Sequence, residues 1–351
     1  MTAPTGEPAS GARTALKRSE RTTAPTTLRR GDAAPARTRR GQAVGRAKRL
    51  ALDPALTGEA ALQRIGLISL GNIARNETAV LAGTEDGVHQ MRVAVRRLRA
   101  TLSAFGKLLP RHQRHWVSEE LRWLADALGP ARNLDVFESA LLKPLRQDSD
   151  NPAALKKLTL KKLQQAALRR RRAAYRDAVA AVRSTRFAAL LSNLAHWFQT
   201  CGWHDGEDAA GLQQPIAALA GRALQRRWRV ARKRSKGFGE QSAQQRHRLR
   251  IALKKLRYAA ESLAPLYPSE DPAPFLRRVK RLQDDLGHAN DVRVGHEIVS
   301  ALAATAGTDN GLAEAGERVL GWHEQRLAKN EPRLRKHLHE LFEAEPFWHR
   351  C

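Results

Sequence analysis

Val88-His89-Gln90-Met91-Arg92-Val93-Ala94-Val95-Arg96-Arg97-Leu98-Arg99 is the stretch that decides the fold. At about 100° per residue on an α-helix, His89, Arg92, Arg96 and Arg99 fall within an arc of about 80°. Met91, Val95, Leu98 and Leu102 fall on the opposite side. The spacing predicts a helix with an apolar back that buries and an ordered cationic front headed by a histidine. The front is either a solvated face or a site.

Outward from this stretch the periodicity stays helical, and strand signals are weak. A helix is expected over about 55–81. Gly83-Thr84-Glu85-Asp86-Gly87 then breaks the chain, and Thr84 to Asp86 offer caps for the next helix. The Val88 helix should reach about Leu109, where Pro110 stops it. Further helices are expected at about 112–128, 153–182, 184–197, 215–236, 242–264, from Pro272 or Pro274 to Gly287, and 311–341, with a turn or two from Asn133 to Leu142.

The cationic front recurs. His89-x-x-Arg92-x-x-x-Arg96-x-x-Arg99 returns as His247-x-x-Arg250-x-x-x-Lys254-x-x-Arg257, from position 89 to 247, an offset of 158. The apolar back repeats with it, as Met91, Val95 and Leu98 match Leu249, Leu253 and Leu256. Leu124-Ala125-Asp126-Ala127-Leu128-Gly129 matches Leu282-Gln283-Asp284-Asp285-Leu286-Gly287 at the same offset, and Ala131-Arg132-Asn133 then aligns with Ala289-Asn290-Asp291. Two separate segments sharing one offset predict two copies of a unit of about four helices, each an antiparallel bundle. The fold class expected is all-α, with two pseudo-symmetric four-helix-bundle repeats. The polar, Gly-containing break from Cys201 to Gly211 sets the boundary, giving one copy at 51–205 and the second at 206–345.

Residues 1–50 read as a disordered basic tail, with twelve Lys or Arg against Glu7, Glu20 and Asp32 and few large apolar residues. Over the 351 residues the net charge is +27, while the hydrophobic fraction of 42% suffices for a core. Charge this lopsided implies a polyanionic partner: nucleic acid, an anionic surface, or an inorganic polyanion. Cys201 and Cys351 fit no disulfide framework or ligand spacing, which points to a reducing compartment. No run approaches the ~20 apolar residues needed to span a bilayer, and the N-terminus has no apolar signal core.

The His89–Arg99 and His247–Tyr258 helices, the two Leu-Gly elements, and Asn133-Leu134-Asp135-Val136 with Asn290-Asp291 resemble the CHAD domain family over about residues 55 to 345. The resemblance implies an all-α domain of two four-helix repeats that binds inorganic polyphosphate in a central basic groove or pore. It differs from the family pattern at Asn133, where Asp is usual in the first repeat, and at Lys254 and Lys255, which replace Arg. Lys meets phosphate as a point charge, without the bidentate fork. No Glu-x-Glu-x-Lys element of a fused triphosphatase domain is present, so a stand-alone CHAD protein is expected.

The candidate polyphosphate-binding residues are His89, Arg92, Arg96, Arg97 and Arg99 in the first copy, and His247, Arg250, Lys254, Lys255 and Arg257 in the second. The two fronts should face one cavity across an approximate two-fold axis. Phosphate chains present no base edges or aromatic faces, and Lys plus Arg number 62 while aromatics are 5%. Single-stranded nucleic acid would instead favour exposed aromatics among the cations. Trp123, Phe137 and Trp197 lie in apolar stretches and read as core. Arg169 to Arg172 point all round their helix and read as a solvated face.

Asp126, Asp284, Asp135 and Asp291 read as carboxylates orienting guanidinium groups, with Asn133 and Asp291 also able to cap the turn after Leu-Gly. His204-Asp205 resembles a metal phosphohydrolase dipeptide, but no partner motif accompanies it, and no metal site or cofactor is expected. The expected function is non-catalytic binding of polyphosphate in the cytoplasm, on polyphosphate granules. A nucleic-acid-binding protein is the alternative. A phosphoanhydride enzyme using His89 or His247 is a third, and it requires a carboxylate or metal that the sequence does not place.

Overall fold

The computed structural model describes residues 36–37, 43–44, 52–147, 157–204, 209–305 and 311–349. The expected disordered tail lies outside the described residues, except for a short antiparallel pair, β1 (Ala36–Arg37) and β2 (Ala43–Val44). Everything else of regular structure is helical, as expected. The order is α1 (Gly58–Ala74), α2 (Glu77–Leu81), α3 (Glu85–Phe105), α4 (Arg111–Ala127) and α5 (Gly129–Val136). A π-helical turn, Phe137–Leu142, leads into α6 (Lys143–Gln147). Then come α7 (Lys157–Arg183), α8 (Thr185–Gln199), α9 (Ile216–Ser235), α10 (Ala243–Leu263), α11 (Ala273–Ala304) and α12 (Gly311–Glu343).

Local chemistry explains most of the boundaries. Thr84 Oγ1 accepts from the Gly87 N–H at 3.2 Å and opens α3. Gly83 sits at φ +66, where side chains are strained, and a Cβ on Gly87 would meet the Ala79 backbone at 2.6 Å. Ser242 and Gln245 form a reciprocal capping box at the start of α10. Pro110 stands at the N-cap of α4.

Three expectations are corrected. The first helix breaks at Asn76, whose side chain donates to Asn72 O at 2.8 Å and diverts the backbone between α1 and α2. The helix expected to end at Gly287 continues as α11 to Ala304. In the first copy the matching segment breaks at Leu128 instead, because Pro130 in the opening turn of α5 has no N–H to continue the ladder. Asn133 and Asp291 therefore lie inside α5 and α11 and cap nothing.

α3 and α10 each span 21 residues and begin at 85 and 243, the offset read from the sequence. Their apolar backs are fully buried: Met91, Val95, Leu98, Leu249, Leu253 and Leu256 are all 0% exposed. One core cluster runs from Leu52 to Trp348 and takes side chains from both expected copies. A smaller cluster gathers Phe137, Leu141, Leu163, Val299 and Leu320 around the π-helical turn. At the start of α1 and α9, Gly58 N donates to Gln214 O at 2.9 Å and Ile216 N to Leu56 O at 2.8 Å. This bridge joins Thr57 to Pro215, again at the same offset. α3 packs on α10 directly, so the cationic edges of both helices reach a common region. Among the described residues, no helix is long and apolar enough to cross a membrane.

Candidate functional site: a basic cavity between α3, α4 and α10

Burying the apolar backs of α3 and α10 leaves their cations at the rim of the contact. A cavity of about 1120 Å³ opens there. Arg96 and Arg99 reach it from α3, and Lys254, Lys255 and Tyr258 from α10. α4 closes the far wall with Arg111, His112, Arg114, His115 and Arg122, and Leu121 and Trp197 line its apolar side.

The neighbouring cations are close enough to perturb one another. Burial pushes the Lys254 ammonium down to about 7, and Arg250, Arg96 and Arg92 push in the same direction against Asp291. Burial lowers Arg92 to about 10, helped by Arg96 and Arg132 and opposed by Asp126. Arg250 is lowered by burial, with Asp291 opposing and Arg96 and Arg293 assisting. Arg99 is lowered by burial and then by Arg122. Both histidines titrate below their ordinary range. Burial leads in each case; Arg132, Arg96 and Arg92 add to it at His89, and Arg250, Arg293 and Lys254 at His247. Lys255, although exposed, is lowered by burial and by Arg227 and Arg234 of α9 and Arg99 of α3. Burial raises the Asp291 carboxyl, although Arg250, Asn290 and Lys254 pull it down.

The Nε groups of Arg96 and Arg97 on α3 and of Arg250 and Arg257 on α10 are buried without a hydrogen-bond partner among the described residues. A buried donor without an acceptor costs free energy that an incoming anion recovers.

The ten residues singled out in the sequence do not all serve one surface. Arg96, Arg99, Lys254 and Lys255 line the cavity. Arg92 and Arg250 adjoin it and act on Lys254, while His89 is pushed down by Arg96 and Arg92, and His247 by Arg250 and Lys254. Arg92 is also structural, since its Nη1 donates to Ala125 O at the end of α4 at 2.5 Å. Arg97 and Arg257 turn to Glu261 instead. Arg97 Nη2 lies 3.5 Å from Glu261 Oε2, and Arg257 Nε lies 3.0 Å from Glu261 Oε1 as an ion pair without hydrogen-bond alignment, so the pairing neutralises charge while the two Nε donors stay unmatched. Among the four aspartates, Asp135 does orient a guanidinium, accepting from Arg171 Nε at 2.7 Å and from the Tyr175 hydroxyl at 2.8 Å. That pair fixes α5 to α7. Arg171, with its Nη2 also 3.9 Å from Glu85 Oε2 at the start of α3, does not belong to the solvated face expected for Arg169 to Arg172.

Sequence reasoning missed Arg132, Arg293 and the α4 cations. Arg132 falls in the repeated segment used to align the copies, directly before Asn133. The run Arg111-His112-Gln113-Arg114-His115 after Pro110 is visible as a dense basic helix start. The aromatics are core, as expected: Phe137 is 1% and Trp197 7% exposed, while Trp123 lies partly buried under Arg186.

The CHAD domain family matches residues 68–300. The uncharacterized protein Rv2226 of Mycobacterium tuberculosis is 32% identical over 277 residues, which are 74% of this chain and 51% of that protein. A second uncharacterized M. tuberculosis protein, MT2285, is 31% identical over the same extent. The chain thus spans about half the length of the curated relatives it matches. The crystal structure of the CHAD domain from the plant Ricinus communis covers 85% of this chain and 97% of its own, at 29% identity and a TM-score of 0.71. PptA from Streptomyces chartreusis shares the fold at 17% identity and a TM-score of 0.57, covering 82% of this chain and 99% of its own. Two helices carrying the same His and basic register, a matching family over residues 68–300, and a solved CHAD structure of the same fold lead to one assignment: the chain belongs to the CHAD domain family.

Proposed function

We propose that this protein binds inorganic polyphosphate, without turning it over, in the basic cavity between α3, α4 and α10. The observation that carries the proposal is the meeting of Arg96, Arg250 and Lys254 from two helices. The buried Nε donors of Arg96 and Arg250 are among those that lack acceptors, and Lys254 is held near 7 by burial and surrounding cations. A polyanion supplies acceptors and opposite charge together. Membership of the CHAD family, whose resemblance implies polyphosphate binding, supports the choice of ligand.

The site favours a phosphate chain over nucleic acid because it offers cations without a stacking platform. Among the described residues, the exposed large hydrophobic side chain is Val230, not an aromatic. Of the aromatic rings lining the cavity, Trp197 is 7% exposed, and Tyr258 is 5% exposed and already lies against Arg96 and Arg257, at 5.9 and 5.1 Å from centroid to guanidinium. The nearby carboxylates face cations and suit orienting roles better than acid–base chemistry. The cytoplasm and the surface of polyphosphate granules are the setting this reading implies.

A competition experiment tests it. Labelled long-chain polyphosphate is titrated with the full chain at two salt concentrations, then challenged with duplex DNA and RNA at equal phosphate concentration. Polyphosphate should hold, with affinity falling steeply as salt rises. Displacement by nucleic acid at equal phosphate would replace the proposal with the nucleic-acid reading, and release of orthophosphate would replace it with an enzyme.

A further inference from the structure

We infer that Glu59, Cys201 and His204 form a zinc-binding site that clips the start of α1 to the turn after α8. A carboxylate oxygen, the thiol sulfur and an imidazole nitrogen lie within 4.8 Å of one another. The sequence alone does not show this group, because Glu59 is distant in the chain and no second Cys or His pair completes a pattern. Folding brings it together. Glu59 stands in the first turn of α1, behind its Thr57 cap. Cys201 and His204 share one short turn, and a Cys-x-x-His spacing places two ligands on the same loop.

The backbone around Cys201 is unusual. Gly202 N donates to Trp197 O at 2.9 Å, closing the end of α8 in a Schellman-type turn. Cys201 occupies the left-handed position of that turn, at φ +50, where glycine costs least. A cysteine there is strained for a turn alone. Glu59 is itself oriented from behind: Trp203 Nε1 donates to its Oε2 at 3.1 Å. Trp203 is fully buried and packs edge-on against Trp197 with centroids 5.1 Å apart. Such outer contacts fix ligands in metal sites.

The donor set suits zinc. Mixed sulfur, nitrogen and oxygen ligands match a borderline-soft dication, and one thiolate plus one carboxylate neutralise it. Neutrality matters in a chain of net charge +27, where an uncompensated dication is repelled. With zinc bonds of about 2.0–2.3 Å, ligand atoms in a tetrahedron stand about 3.3–3.8 Å apart. The Cys201 sulfur, within 4.8 Å of both other ligand atoms, needs to draw in by no more than about 1.5 Å, while the 2.5 Å contact between His204 Nε2 and Glu59 Oε2 opens as the ion enters. The thiol proton leaves to solvent, and water takes the fourth position.

The test uses the full chain stripped with a chelator. Titration with Co²⁺ should give a thiolate-to-cobalt charge-transfer band in the near ultraviolet that saturates at one equivalent, and Zn²⁺ should bleach it. Cys201→Gly, which suits the left-handed backbone and keeps the fold, should abolish the band, whereas Cys351→Ser should retain it. Glu59→Gln and His204→Ala should weaken Co²⁺ binding tenfold or more. Zn²⁺ should raise the thermal midpoint of the wild-type chain but not of Cys201→Gly, with polyphosphate binding unchanged in both. No band in the wild type, or a band that survives Cys201→Gly, would overturn the assignment and leave Glu59 and His204 as a plain ion pair.

Discussion

Lys254 on α10 and Arg96 on α3 line one cavity from different helices, and the Arg96 guanidinium is among the charges that hold the Lys254 ammonium down at about 7. The apolar backs of the two helices force this proximity, since burying Leu98 and Leu256 together brings their cationic edges to a common rim. Hydrophobic packing thus holds like charges together against their repulsion. The fold is strained at the cavity until an anion arrives, and binding energy and apo stability are opposed at the same residues.

Lys254→Met should therefore stabilise the free protein while weakening polyphosphate binding. The folded pKa of Lys254 lies below its unfolded value, so the folded chain binds fewer protons between about pH 7 and 10.4. The destabilisation is fully present below pH 7 and disappears as pH rises through the unfolded pKa. Thermal melts should show Lys254→Met above wild type at about pH 6 and level with it near pH 10.5. A variant that melts lower than wild type in the acid range would contradict the cavity electrostatics.

Binding should take up protons. Polyphosphate next to Lys254, His89 and His247 restores their charged forms, and all three titrate below their ordinary values in the free protein. Affinity should rise as pH falls from about 8 to about 6. Calorimetry in two buffers of different ionisation enthalpy should report net proton uptake near neutrality. Lys254→Arg keeps its charge throughout this range and should flatten the upper part of the profile. A wild-type profile without slope would remove Lys254 from the site.

Legibility in the sequence depends on range. α3 and α10 are readable because apolar periodicity, the Thr84 and Ser242 caps and Pro110 all act within a few residues. Gly287 misleads because a single glycine costs a helix only about 1 kcal/mol, less than burial of Leu286 and Val292 on either side returns. The cationic rows are readable as a register, but their destinations are not. Glu261, a long way from Arg97 in sequence, draws both Arg97 and Arg257 to itself. Asp291 reads as a cap and lies in mid-helix beside Arg250. Which cation meets which carboxylate is decided by tertiary packing, which one sequence does not display.

Glu261 divides the ten candidates into two classes that mutagenesis should separate. Arg96→Ala with Arg250→Ala should remove most polyphosphate affinity and lower the slope of log K against log salt by about one per cation lost. Arg97→Ala and Arg257→Ala should change affinity little, because their charges already face a carboxylate. Glu261→Gln should release both guanidinium groups and strengthen binding. Equal losses at all four arginines would show that the whole cationic front, rather than the cavity, holds the chain.

Arg92 should behave unlike its neighbours because it does two things at once. Its Nη1 donates to Ala125 O near the end of α4, where helix carbonyls lack intrahelical partners. Arg92→Ala leaves that part-buried carbonyl unsatisfied and should cost about 1–3 kcal/mol of stability. Arg96→Ala, which gives up a guanidinium whose Nε has no partner, should cost little or raise stability. Urea denaturation of the two variants without ligand separates these effects, and polyphosphate titration should show both binding more weakly. If Arg92→Ala is as stable as wild type while losing affinity, its bond to Ala125 contributes nothing to the fold and the residue serves the anion alone.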